Sequence, residues 1–271
     1  MLKRFLNIIR SLIKSNLYLM NQLYYRYLRR RNRDQALAYI HNREHINSNA
    51  VLKTRREAEE SMANLKNLKL FQHGDFPKNW DCYRAFTFIL NYGNPDSKIF
   101  DAGSAVYGVI LPWLELYGYS NLYGCDISFK QDFRKGKIQY SKQDLQKTNF
   151  KSGSFDFITS ISVIEHGVDV HSYLKEMSRL LKPGGYLLTS TDYWHEPINT
   201  KGLYPYGKAL GEMKVFTRQD IEQLVQAARA YGLELTQPID FSYKDKVVYW
   251  ERVDKKFTFI FFILKKETKN N

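Results

Sequence analysis

Residues 98–126 read KIFDAGSAVYGVILPWLELYGYSNLYGCD. A short apolar run ends at Asp101, and the small residues Ala102, Gly103, Ser104 and Ala105 follow as a turn. An apolar helical segment comes next, then a second short strand that stops at Asp126. This is a strand–turn–helix–strand unit with an acidic residue closing its second strand. The turn lets backbone approach a ligand closely, and the second carboxylate can accept two ribose hydroxyls. The unit therefore predicts a site for a nucleoside-containing cofactor.

Downstream, strands and helices alternate. Ile138-Gln139-Tyr140 predicts a weak strand leading to Asp144, and Phe155 to Ser160 a stronger one. Val170 to Leu181 has helical spacing and is closed by Lys182-Pro183-Gly184-Gly185. Tyr186 to Ser190 is the next strand, and Thr217-Arg218-Gln219-Asp220 starts a helix with a capping-box pattern. Leu233 to Thr236 and Phe257 to Leu264 are the last two strands; the second is too short to span a bilayer and reads as a buried strand. Such alternation predicts an α/β fold, a doubly wound and mostly parallel sheet.

The ordered elements resemble class I S-adenosylmethionine-dependent methyltransferases, in particular the group acting on small molecules, glycans and lipids. The matching residues are Asp101-Ala102-Gly103, Gly124-Cys125-Asp126-Ile127-Ser128, Asp144-Leu145, the run from Phe155-Asp156 through Ser160 to Glu165-His166, and Leu181 to Gly185. The resemblance implies a seven-stranded Rossmann-like sheet whose final strand is antiparallel, and S-adenosylmethionine as cofactor. It puts Asp101 and Gly103 at the methionine end and Asp126 at the ribose hydroxyls, with Ala102, Ser104, Ile127 and Ser128 as further cofactor-binding residues. Asp144 would face the adenine amino group with Leu145 against the ring, and Ser160 and Ile161 would offer backbone near the methionine moiety. Many members have a second glycine where this chain has Ala105. A nicotinamide site is a weaker reading, because Gly103 to Gly108 keeps two glycines of the three in G-x-G-x-x-G.

A hydroxyl acceptor needs a base, and histidine titrates near working pH. The candidates are Glu165 and His166 after the fourth strand, and His195 after the fifth. His195 lies in a long stretch, Asp192 to Phe216, rich in Tyr, Trp and Pro, which reads as a lid over the acceptor. The expected activity is O-methylation of a glycan, lipid-linked saccharide or small metabolite. A non-catalytic S-adenosylmethionine-binding scaffold and an RNA methyltransferase are the alternatives. Exocyclic amine methylation of bases has an Asp/Asn-Pro-Pro-aromatic tetrad where this chain has Ser160-Ile161-Ser162-Val163, so nucleic acid is a minority reading.

The chain has 271 residues and a net charge of +13, most of it carried by residues 1–33, which hold nine cations and no acid. There Leu2, Phe5, Ile9, Leu12, Ile13, Met20, Leu23 and Tyr27 share one helical face, so a basic amphipathic helix is expected. It could pack on the body, make peripheral membrane contact, or serve as a transit peptide. No apolar run there is long enough to cross a bilayer. Helical patterning continues to Leu70, with Asn47-Ser48-Asn49 as a cap between two helices. The turn-rich residues 72–77 set a boundary between an N-terminal helical arm, 1–72, and a catalytic domain, 73–271. Cys82 and Cys125 have no CxxC partner, so no disulfide, zinc or other metal site is expected, and the compartment read from this is cytoplasmic.

Overall fold

The structure is a computed structural model that describes residues 32–41 and 49–268; the amphipathic face expected in the arm lies outside the described residues. In chain order the elements are α1 (Arg33–His41), β1 (Ala50–Val51), α2 (Arg55–Asn67), α3 (Lys78–Tyr92), β2 (Lys98–Ala102), α4 (Ile110–Leu116), β3 (Asn121–Cys125), β4 (Phe133–Lys135) and β5 (Ile138–Ser141). Then come β6 (Phe155–Ile161), α5 (Val170–Leu180), β7 (Leu181–Tyr193), α6 (Arg218–Arg229), β8 (Leu233–Leu235), β9 (Val248–Trp250) and β10 (Lys255–Lys266).

Among the described residues the strands form one sheet in the order β1-β10-β7-β6-β2-β3-β5-β4, with β8 and β9 also paired to β10. The strands from β5 through β3, β2 and β6 to β7 are parallel. β10 runs antiparallel against β7, with Phe261 opposite Ser190, as expected of the final strand. The sheet has ten strands where seven were expected, because β1, β4 and β9 add two- or three-residue edge pieces.

Both faces of the sheet are covered, and β10 shows why. Phe257, Phe259, Phe261 and Ile263 point into one core with α2, α3 and α4. Ile260, Phe262 and Leu264 point into the other with α5 and α6. Side chains alternate across a strand, so a run that is apolar at every position must be buried on both sides.

α3 is buried at every residue from Asn79 to Leu90. The turn before it is organised by the Asn79 side chain. Its Nδ2 donates to the carbonyls of His73 (3.1 Å) and Phe76 (3.1 Å), and its Oδ1 accepts from His73 N (2.8 Å). Asn79→Ala leaves these buried groups unpaired and should destabilise the protein by about 2 kcal/mol, read as a lowered midpoint in urea.

Two local expectations are corrected. Asn49 caps no helix: it is buried at the sheet edge, donating to Gln237 O (2.7 Å) and accepting from Ile263 N (2.9 Å). The cap of α2 is Thr54, which accepts from Glu57 N. Lys182 to Gly185 belong to β7 as a bulge rather than a turn before it, since the register against β6 shifts between Phe155 and Phe157. α6 starts with the expected capping box, Thr217 and Asp220 bonding each other's backbone N–H.

Candidate cofactor and acceptor site

The parallel strands end side by side. Asp101 pairs with Gly124 on β3 and Thr159 on β6, and Ser160 pairs with Thr189 on β7. β2 is the first strand of the parallel set, with β3 on one flank and β6 on the other. That is where the strand order reverses, and in open α/β sheets ligands bind in the crevice such a reversal leaves.

Asp101 is 8% exposed and accepts from Thr159 Oγ1 at 2.6 Å. Burial pushes its carboxyl up to about 6 against the pull of the Thr159 and Ser104 hydroxyls. Gly103 follows with φ 79°, and a Cβ there would lie 2.6 Å from the Val163 side chain. The loops after β2 and β6 therefore touch, and only glycine fits between them. Ala102 is buried, and Ser104 N donates to Cys125 O at 2.8 Å, tying the first turn to β3.

Asp126 is half-buried at the end of β3, its Oδ1 accepting from Ser128 N at 2.7 Å. Ile127 beside it is 49% exposed. Asp144 is exposed and accepts from Gln146 N at 2.9 Å, with Leu145 partly buried next to it. Ser160 is buried, and Ile161 ends β6 half-buried. The strand ends thus gather Asp101, Asp126 and Ser160 along one edge. S-adenosylmethionine carries a sulfonium and an ammonium cation, a flat adenine and a ribose diol. Two carboxylates on neighbouring strand ends and an exposed apolar residue are a donor set that fits it.

The loop after β6 carries Glu165 and His166. Glu165 is 1% exposed, accepts from Thr191 Oγ1 at 3.0 Å, and is held above its ordinary value by burial. His166 is pushed down to about 4 by burial and then by Lys78, and its Nδ1 is buried without a hydrogen-bond partner among the described residues. The aromatic stretch lies against this loop: Lys214 N donates to Glu165 O at 2.8 Å, and His166 bridges Met213. Tyr206 packs on the His166 ring at 4.7 Å.

His195 is not joined to that group. Its ring stacks on Tyr243 at 3.8 Å, and Nε2 lies 3.7 Å from Glu196. Sequence reasoning missed Lys78, Asp81 and Asp192, whose charges interact with one another, Lys78 also with Glu165. Lys78 and Asp81 come from α3, and Asp192 from the end of β7. Burial alone would lower the Lys78 ammonium, yet Asp81, Glu165 and Asp192 hold it above its ordinary value. The available signal was a charge inside an apolar stretch at Trp80-Asp81-Cys82; Asp192 follows Thr189-Ser190-Thr191 and carried no such signal. Cys82 and Cys125 are free and buried, and burial pushes the Cys125 thiol up to about 12, which disables it as a nucleophile. No helix among the described residues is long and apolar enough to cross a membrane.

A family model described as "Methyltransferase domain" matches residues 74–237. Over 77 residues the chain is 35% identical to a ubiquinone biosynthesis O-methyltransferase of Xanthomonas oryzae pv. oryzae; the match covers 28% of this chain and 30% of that protein. Over 122 residues it is 25% identical to a 2-methyl-6-phytyl-1,4-hydroquinone methyltransferase of Synechocystis, covering 38% of each. The matched stretches span well under half the length of these curated relatives. Among solved structures it is similar to the Burkholderia thailandensis 1,6-didemethyltoxoflavin-N1-methyltransferase with bound S-adenosylhomocysteine. That likeness has a TM-score of 0.51 and 14% identity, covering 79% of this chain and 87% of that one.

Proposed function

The chain belongs to the methyltransferase-domain family, and from that premise we propose that it moves a methyl group from S-adenosylmethionine to a hydroxyl of a glycan, lipid-linked saccharide or small metabolite. The observation that carries the reading is the clamp between the Glu165–His166 loop and the aromatic stretch. It sets a candidate base beneath an aromatic wall, next to the strand ends that hold Asp101 and Asp126. The partial match to a ubiquinone biosynthesis O-methyltransferase supports oxygen as the atom methylated.

S-adenosylmethionine supplies an electrophilic methyl group. The protein's residues do the rest. Asp101, with the turn Ala102-Gly103-Ser104, holds the methionine end. Asp126 accepts the ribose hydroxyls while Ser128 N orients it, and Ile127 and Leu145 flank the adenine, with Asp144 at its amino group. His166 takes the hydroxyl proton. Burial holds its ring at about 4, below the working pH expected of a histidine, so it is neutral at pH 7 with one nitrogen free of a proton but is a weak base. Main-chain groups of Ser160 and Ile161 complete the wall beside the reacting centre.

Calorimetric titration with S-adenosylmethionine and S-adenosylhomocysteine should give saturable heats. Absence of both would sink the cofactor reading. Asp126→Ala should weaken cofactor binding by about tenfold, the worth of a charge-assisted hydrogen bond. In labelled-methyl assays with extracted acceptors, His166→Asn should slow transfer by roughly a hundredfold with cofactor affinity kept. His195→Asn tests the second candidate in parallel, and unchanged rates in both variants would refute the base assignments.

A further inference from the structure

Among the described residues, three with a side chain sit on left-handed backbone: Lys69 (φ 54°), Ser162 (φ 52°) and Asp254 (φ 51°). Local structure accounts for two of them. Lys69 follows the end of α2. There Leu70 N donates to Leu65 O and Lys69 N to Lys66 O, both at 2.9 Å, the paired bonds that close a helix through a left-handed residue. Asp254 closes the turn between β9 and β10, where Trp250 pairs with Lys255, and aspartate tolerates this conformation better than most residues.

Ser162 is at neither kind of place. It follows β6, which lies between β2 and β7 inside the sheet. Its N–H still donates to Ser190 O on β7 at 3.0 Å, so the pairing runs one residue past the strand before the chain turns away. For a residue with a Cβ the left-handed form is disfavoured by roughly tenfold, and it persists only where the surroundings impose it.

The surroundings here are the two halves of the site. On the cofactor side, Val163 is seated against Gly103: a Cβ on Gly103 would lie 2.6 Å from Val163 Cγ2 and 2.7 Å from Cγ1. Gly103 is itself left-handed at φ 79° and stands in the turn after Asp101. The loops that leave β2 and β6, neighbouring strands, are thus packed atom against atom. On the acceptor side, Val163 opens the turn that presents the candidate base, His166 N donating to Val163 O at 3.1 Å. The Ser162 Oγ is buried beside Glu165. Extended or right-handed backbone at Ser162 would carry Val163 away from Gly103. Glycine would take this φ without strain, but it would take many others as readily. Serine leaves the loop few conformations, and the contact with Gly103 selects the left-handed one.

We infer that Ser162 is a positioning residue: its left-handed backbone holds Val163 on the Gly103 turn, so that the pocket for the methionine end of S-adenosylmethionine is formed before the cofactor arrives. This rests on the methyl-transfer reading above and names the residue that ties its cofactor turn to its acceptor loop. Ser162 acts through Val163 and Gly103, and its backbone, not its hydroxyl, carries the effect.

The test uses the full chain, with S-adenosylhomocysteine affinity from calorimetry and stability from urea titration of the ligand-free protein. Ser162→Gly should weaken S-adenosylhomocysteine binding by about fivefold or more, because a loop that was held in place must now be ordered on binding. Its urea midpoint should stay at the wild-type value, since relief of the left-handed conformation and the added freedom of the unfolded chain offset each other. A merely structural residue would not lose affinity while keeping stability. Ser162→Ala keeps the stiff backbone and removes only the hydroxyl, so it should bind within about twofold of wild type. Ser162→Gly binding as tightly as wild type overturns the inference. So does an equal loss in Ser162→Ala, which would assign the effect to the hydroxyl. A Ser162→Gly midpoint that falls together with affinity also overturns it, by making the residue structural alone. Failure of the wild type to bind S-adenosylhomocysteine is a different result, one that sinks the methyl-transfer reading itself.

Discussion

Asp101→Asn is expected to make the ligand-free protein more stable while weakening S-adenosylmethionine binding about a hundredfold. Asp101 sits at 8% exposure, and burial pushes it up to about 6 from an ordinary 3.8. The folded state therefore holds this proton more tightly than the unfolded chain does. As pH rises through 3.8 the unfolded chain gives up its proton first, and folding becomes progressively less favourable until the folded carboxyl ionises near 6. Above that the cost is constant, on the order of 2–3 kcal/mol. An amide avoids the cost and can still accept from Thr159 Oγ1. The advantage of the variant should be absent near pH 4, grow up to pH 6, and level off, with a melting-temperature gain on the order of 5 °C at pH 7. Thermal unfolding of both proteins across that range, with and without cofactor, measures it. Cofactor should stabilise the wild type and leave the variant nearly unmoved. A variant less stable than the wild type at pH 7 would show that the charge at Asp101 is compensated within the protein.

That trade explains why the cofactor edge of the sheet was legible in the sequence. A carboxylate closing a buried strand is costly, so Asp101 stands out against Ile99 and Phe100. The main strands were readable for the same reason: β2, β6 and β10 are short apolar runs bounded by turn residues. α3 was not readable, because residues buried from Asn79 to Leu90 on every side show no helical period. With α3 went Lys78 and Asp81, two interacting charges on a helix buried on every side. β1, β4 and β9 are too short to leave a pattern, and their pairing is set by the strands they meet. The stretch from Asp192 to Phe216 was readable as an insertion, but its seat on the Glu165–His166 loop depends on two glycines far apart in sequence.

Those glycines support the other large effect. Gly167 has φ 73° and Gly211 φ 83°, and they face each other across the seam between the loop after β6 and the aromatic stretch. A Cβ on Gly167 would overlap the Leu210 carbonyl oxygen and lie 2.7 Å from Gly211 Cα. Backbone meets backbone, so no rotamer change relieves it. The left-handed conformation adds roughly 1 kcal/mol for any residue with a Cβ. Gly167→Ala must then lift the stretch off the loop, straining the Lys214 N to Glu165 O bond and the His166–Met213 bridge. The expected loss is about 2–4 kcal/mol of stability. Methyl transfer should fall by roughly a hundredfold, because the base and the aromatic wall lose their mutual alignment. S-adenosylmethionine affinity should stay within about twofold, since Asp101 and Asp126 are held by β2 and β3 and not by this seam. Gly153→Ala is the matched control: its φ is 64°, but a Cβ there meets nothing within 4 Å. It carries the conformational cost without the collision and should cost about 1 kcal/mol and no activity. If the two variants behave alike in urea titration and in turnover, the seam is loose and the aromatic stretch is not what aligns His166.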